Sequence, residues 1–385
     1  MKLKYGLISA DSHAQLDRDA FTRRMSKTKW GDRIPEVVEV EDERTKKKVD
    51  RWRVYGKTIG AFVANCPAVM NDRKVKYYPQ RWEEVPAKVF EPLERAKALD
   101  EDGIDAEVLF PNTPIQNFGF LQSKDAEYEL ACTQAYNSAL AEWREKSERF
   151  VPLALIPYLG GIDATVAEVE RAVKIGHRGI TIICEPSTLI PNLPHVNDPY
   201  WDPLWEVCQA ADIPVHLHES GGLASAIRFP AWDGFTANQA HCLLTVPTGA
   251  FPAEFLPNLI FSGILERFPR LKWVSAETGL GWVNYVIEGC DHEWERRSLW
   301  KHGIPTRPSE LFRRQIYVNF WFEKTGIAQR DRISLDNIMW ESDYPHTAST
   351  YPESWKSIEE TLQDVSAEER RKILHANAQR VYHLE

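Results

Sequence analysis

Nowhere in this sequence do two cysteines stand in a Cys-x-x-Cys spacing. Its six cysteines (Cys66, Cys132, Cys184, Cys208, Cys242 and Cys290) are scattered, which argues against a thiol redox motif or a disulfide framework. They are expected to be reduced thiols, mostly packing. A concentrated basic stripe is also missing, and the formal charge is −9, so nucleic acid is excluded as an expected partner. The densest charge cluster, "DERTKKKVDR" (42–51), mixes signs and reads as a solvated turn. No Gly-x-Gly-x-x-Gly follows an early apolar run, so a dinucleotide fingerprint is lacking. No apolar stretch is long enough to span a membrane, and "MKLKYGLISADSH" has no signal-peptide core. The expectation is a cytoplasmic protein with no membrane partner. Tandem repeats, low-complexity tracts and domain-separating linkers are absent too.

What is present is a repeated alternation. The 385 residues, 43% apolar and 27% charged, suffice for one large domain or two ordinary ones. Fourteen tryptophans suggest a well-filled core with a few rings left for a pocket; none of Trp82, Trp232 and Trp282 can be assigned to it. Eight short apolar runs recur: "YGLISADSH" (5–13), "AEVLFPN" (106–112), "FVPLALIP" (150–157), "GITIICEP" (179–186), "IPVHLHES" (213–220), "LKWVSAETG" (271–279), "QIYVNFWFE" (315–323) and "NIMWESDYPH" (337–346). Each suits a strand buried on both faces, as in a parallel sheet.

Helical patterns lie between them. In 126–149, Tyr128, Ala131, Cys132, Ala135, Ala139 and Trp143 fall on one stripe. Residues 163–176, 199–212, 255–269 and 364–384 read the same way, with Pro199 near one helix start. Eight alternating strands and helices predict an α/β fold, a closed (β/α)8 TIM barrel forming a single domain over 1–385. A doubly wound sheet is the alternative. Residues 20–95, between the first two strands, exceed what one barrel helix needs. They are read as an insertion, a lid or subunit contact, with a charged hairpin at 36–56.

Barrel active sites gather at the C-terminal ends of strands. There the chain carries Asp11 and His13, Asn112, Cys184 and Glu185, His216, His218 and Glu219, Glu277, Asn319, and Asp343 with His346. Asp11/His13 and His216/His218 are spaced by two, so each pair faces one side of its strand. His218, nearer the end, is favoured as a ligand, with His216 as its support. Imidazoles and carboxylates together suit a divalent zinc, manganese or iron. Singly, each has a plainer reading: a strand histidine is often a hydrogen-bonded core residue, and Asp343 could be a helix N-cap. Concurrence on the first, fifth and eighth strands points to metal. His241, His292 and His375 sit in helical patterns and default to structure.

Six stretches, "ISADSHAQ", "DEDGIDAEVLFPN", "IPVHLH", "RFPRLKWVSAETGLGW", "MWESDYPH" and "ILHANAQRVY", span nearly the whole chain. In them it resembles the amidohydrolase-related family of metal-dependent barrels. The similar branch contains aminocarboxymuconate-semialdehyde decarboxylase and the resorcylate decarboxylases. The resemblance implies metal ligation by Asp11, His13, His218 and Asp343, with Asp343 also moving protons. It implies hydrolysis or non-oxidative decarboxylation of a small carboxylate-bearing substrate. Glu277 departs from the pattern: relatives carry a histidine there. It is read as a further ligand and an auxiliary acid or base.

Two other readings stay open. The surplus of acids (Asp11, Glu185, Glu219, Glu277, Asp343) suits a dinuclear iron or manganese oxygenase. Asp11, standing where family members carry a histidine or glutamate in the first-strand pair, and Glu277, with the charged insertion, suit a non-catalytic partner of an active homologue. The partners expected are a small-molecule substrate and either a second copy or a homologous barrel subunit.

Overall fold

Each of the eight apolar runs contains a strand in the computed structural model, and a further three-stranded sheet lies between the first two. The structure describes residues 1–43, 45–60, 63–64, 78–112, 114, 120–218, 234–236, 239, 242, 246 and 250–384. Cys66, Glu219, Trp232, His241 and much of 61–77 lie outside the described residues. The chain divides into two units, 1–180 with 342–357, and 181–341 with 358–385.

In the first unit, β1 (Ile8–Ala14) is buried along its whole length, its serines, Asp11 and His13 included. The antiparallel sheet that follows is β2 (Glu36–Glu41), β3 (Lys48–Val54) and β4 (Lys57–Ile59). Its register sets Glu36 opposite Arg53 and Glu41 opposite Lys48, cross-strand pairs of opposite charge. The expected solvated turn at 42–51 is thereby corrected. Residues 48–51 belong to β3, and Asp50 and Arg51 are buried because they have partners. Asp50 accepts from the Trp82 N–H at 2.8 Å, and Arg51 donates to the Gln80 side chain at 2.6 Å.

The remaining strands of this unit are β5 (Ala106–Pro111), β6 (Phe150–Pro152) and β7 (Ile180–Thr181), the last at its boundary. Parallel pairing gives the order β1-β5-β6. Helix Pro92–Asp102 leads into β5; proline opens it and Gly103, at φ 69°, closes it in the left-handed conformation. Asp125 caps helix Ala126–Lys146 through the Tyr128 N–H at 3.1 Å. Of the predicted stripe, all but half-buried Ala131 are buried. The buried face is wider than predicted because it also carries Glu129 and Asn137. Glu129 accepts from the Tyr158 and Leu159 N–H groups at 2.9 and 2.7 Å, and burial pushes its carboxyl up to about 7.

The second unit holds β8 (Val215–His218), β9 (Trp273–Ala276), β10 (Ile316–Phe320) and β11 (Ile338–Trp340). They form a sheet in the order β11-β10-β9-β8-β7, and the β8–β9, β9–β10 and β10–β11 pairs are parallel. Helices Asp202–Ala210, Ala250–Phe261, Val283–Arg296 and Pro308–Gln315 alternate with these strands. The C-terminal helical stretch starts on a Ser366/Glu369 capping box and contains a π turn at Lys372–Ala376 that its sequence pattern does not announce. Among the described residues, no helix is long and apolar enough to cross a membrane.

Candidate metal centre

Within the first unit, β1 and the segment after β11 build one cluster. The pairing of β1 with β5 slips between Ser9 and Ser12, a bulge that contains Asp11. His13 Nδ1 lies 2.8 Å from the Pro111 carbonyl oxygen. A carbonyl only accepts, so neutral His13 carries its proton on Nδ1 and keeps a lone pair on Nε2. That Nε2 stands 3.5 Å from Asp11 Oδ1 and 3.4 Å from Asp343 Oδ1.

Asp343 is fully buried and takes φ 57°, in the left-handed region. Its N–H donates to the Asp11 carbonyl at 3.0 Å, and the His13 N–H donates to the Tyr344 carbonyl at 2.7 Å. A knot of hydroxyls tightens the junction: Ser9 Oγ accepts from the Ser342 N–H at 2.9 Å and donates to the Asp11 carbonyl at 2.6 Å. His346 Nδ1 is 2.9 Å from Asp343 Oδ1, and its ring stacks on His13 with centroids 3.8 Å apart. Ligand atoms of His13, Asp343 and His346 lie within 4.8 Å of one another, as do those of Asp11 and His13. Asp343 is not a helix cap, since its side chain meets two imidazoles and its carbonyl accepts from the His346 N–H. Burial works to raise its carboxyl; when His346 and His13 are protonated, their positive charges outweigh burial and hold it below the ordinary aspartate value.

These donors fit a divalent ion. A divalent cation would neutralise the two buried carboxylates and accept the lone pair of the imidazole beside them. Nitrogen and carboxylate oxygen are the ligands that zinc, manganese and iron share.

In the second unit, His218 ends β8 and its Nε2 lies 3.3 Å from Glu277 Oε2. Glu277 follows β9 directly, again with a left-handed φ of 54°. Its N–H donates at 3.1 Å to Oε2 of fully buried Glu341. His216, two residues before His218, is taken up elsewhere: its Nε2 is 2.9 Å from the Tyr382 hydroxyl and the two rings stack.

Glu185 accepts from the Ser187 and Val196 N–H groups and pairs with His195 at 3.0 Å, closing its own loop. Cys184 is buried, and burial pushes its thiol far up. Asn112 and Asn319 are buried. His292 is exposed and His375 contacts Gln379 on its own helical stretch. Trp82 packs edge-on against Trp52, and Trp282 donates to the Thr278 carbonyl. The described cysteines are all free. Reading strand ends alone missed Glu341 and the Arg95–Glu107 ion pair. A signal for the first was available, since Glu341 directly follows an apolar Ile-Met-Trp.

The amidohydrolase family profile matches residues 11–384. A gamma-resorcylate decarboxylase of Polaromonas sp. is 28% identical over 79% of this chain and 91% of its own. An amidohydrolase from Mycobacterium avium subsp. paratuberculosis superposes with a TM-score of 0.74 at 20% identity, covering 99% of this chain and 100% of that one. A dihydroxybenzoic acid decarboxylase from Polaromonas sp., solved with manganese and the inhibitor 2-nitroresorcinol, gives a TM-score of 0.61 at 24% identity, covering 79% and 89%.

Proposed function

Because the chain belongs to the amidohydrolase family, we propose that it is a metal-dependent enzyme that removes CO2, without redox change, from a small hydroxyaromatic carboxylic acid. In this reading Asp11, His13, His218, Asp343 and Glu277 hold one divalent ion, manganese or zinc. The eight strands close as a single (β/α)8 barrel over 1–385, and 20–95 is an insertion serving as lid or subunit contact. The enzyme works in the cytoplasm as an oligomer. The observation that carries the reading is His13, whose Nδ1 is tied to Pro111 so that Nε2 faces the Asp11 and Asp343 carboxylates.

The bound ion would polarise the substrate's carboxylate and neighbouring hydroxyl oxygens. Asp343 takes up a proton from solvent water and delivers it to the ring carbon that bears the carboxylate, returning to its ionised form. The carbon–carbon bond then breaks, its electron pair returns to the ring and CO2 leaves, so no oxidant is needed. Glu277 serves as an auxiliary acid or base. The similar decarboxylases of Polaromonas sp. support this chemistry.

A two-metal oxygenase is the second reading, favoured by a carboxylate at 277. It is weakened because Glu185, one of the acids that motivated it, closes its own loop. The test is metal content of natively purified protein and of Asp343→Ala, with CO2 release from 2,6-dihydroxybenzoate. About one manganese or zinc per chain, and a fall of roughly 10²–10⁴ in kcat in the variant, are expected. No turnover by manganese-loaded protein across a panel of hydroxybenzoates sinks the decarboxylase; iron in a two-ion site with oxygen uptake replaces it with the oxygenase.

A further inference from the structure

We propose that Arg95 is a positioning residue for this centre, fixing the turn that carries Asp343 and His346. The inference rests on the metal-site reading above. Arg95 projects from helix Pro92–Asp102 and is fully buried. Its Nε and Nη2 donate to Glu107 Oε1 and Oε2 at 2.8 and 2.9 Å, a two-pronged pair with both side chains out of solvent. Nη2 also donates to the Tyr344 carbonyl at 3.0 Å, and the guanidinium carbon sits 4.0 Å from the centre of the Tyr344 ring. Ala98, one turn further along the helix, packs with Tyr344 and Tyr351.

The same Tyr344 carbonyl accepts from the His13 N–H. One oxygen is thus gripped by the ligand strand and by the guanidinium. Glu107 stands opposite Ser9 in the β1–β5 register, so the pair is anchored to the strand that carries Asp11 and His13. Asp343 immediately precedes Tyr344 and sits in the left-handed region at φ 57°. Arg95 holds this turn from the far side of Tyr344, through the Tyr344 carbonyl and ring.

A buried ion pair is weak grounds for stability, since a well-packed apolar pair of similar volume often serves as well. That separates geometry from folding. Arg95→Met/Glu107→Leu removes both charges and strands neither. Arg95→Lys keeps a cation beside Glu107 but gives up the planar fork. Mn2+ affinity is read by titration, kcat and KM on 2,6-dihydroxybenzoate, and folding by thermal unfolding. The double variant should unfold cooperatively, bind Mn2+ about 10-fold or more weakly, and lose about 100-fold in kcat with little change in KM. Arg95→Lys should lie between it and wild type. A folded double variant with wild-type Mn2+ affinity and kcat overturns the proposal. If the double variant does not fold, Arg95→Lys with wild-type values overturns it. A wild type that binds Mn2+ but releases no CO2 sinks only the decarboxylase reading, and Mn2+ affinity then decides on Arg95. A wild type that binds no metal overturns both.

Discussion

Gly279→Ala should destabilise the second unit and disturb Glu277, and the size of the effect can be worked from local geometry. Gly279 has φ 67°, and a Cβ there would stand 2.1 Å from Glu323 Oε1 and 3.2 Å from its Cδ. Holding alanine in the left-handed region costs about 1–2 kcal/mol. Glu323 cannot simply retreat. Its Oε1 accepts from the Leu280 N–H, and its Oε2 from Trp321 and Phe322, all at 3.1 Å. Displacing Oε1 strands a backbone donor, at about 1–3 kcal/mol. The two terms give a loss of about 2–5 kcal/mol. Glu277 begins the same turn, so it should shift as well, and Mn2+ affinity should fall. Gly281→Ala is the control, because a Cβ at 281 meets nothing within 4 Å; it should stay within about 0.5 kcal/mol of wild type. Denaturant unfolding followed by tryptophan fluorescence, with Mn2+ titration, reads both effects. If Gly279→Ala matches Gly281→Ala in stability and Mn2+ affinity, the account of this turn is wrong.

Two further outcomes follow from buried groups outside the ligand sets. Glu129 has its carboxyl pushed from 4.5 to about 7 by burial, so the folded protein binds this proton more tightly than the unfolded chain. Stability should therefore fall as pH rises between those values, by about 3 kcal/mol; Glu129→Gln should flatten this part of a thermal-unfolding pH series, and an unchanged slope would refute it. Tyr382→Phe removes the hydroxyl paired with His216 and should cost about 1–3 kcal/mol of stability while leaving Mn2+ affinity as in wild type. A weakened Mn2+ complex would mean that His216 belongs to the centre after all.

The strands were legible because burial on both faces leaves unbroken apolar runs, and each run ends at a polar or turn residue. The hairpin was legible from alternation, but its extent was not. Asp50 and Arg51 look like solvated charges until Trp82 and Gln80, some thirty residues away, arrive to pair with them. His216 and His218 show the same limit. Spacing by two puts both on one side of β8, yet which imidazole meets an acid depends on Tyr382, far along the chain. Arg95 was invisible for a like reason, since its helix gives no hint that residue 344 lies beneath it.

Position along a strand also hides conformation, and the acids at 277 and 343 show why that matters. Both follow their strands in the left-handed region, at φ 54° and 57°, which aspartate tolerates better than glutamate but few non-glycine residues enter. In each case the N–H of the acid is held by a group remote in sequence: Glu341 for Glu277, the Asp11 carbonyl for Asp343. An extended residue there would continue the strand's alternation; the left-handed one breaks it and swings the carboxylate toward an imidazole, His218 in one unit and His13 in the other. Strain at these two positions is therefore coupled to the chemistry proposed for them. Relieving it with glycine would free the backbone but remove the carboxylate, whereas loosening the remote clamps keeps every ligand in the sequence and loses only their aim. That is the ground for expecting variants of Arg95 and Gly279, which delete no ligand, to weaken metal binding.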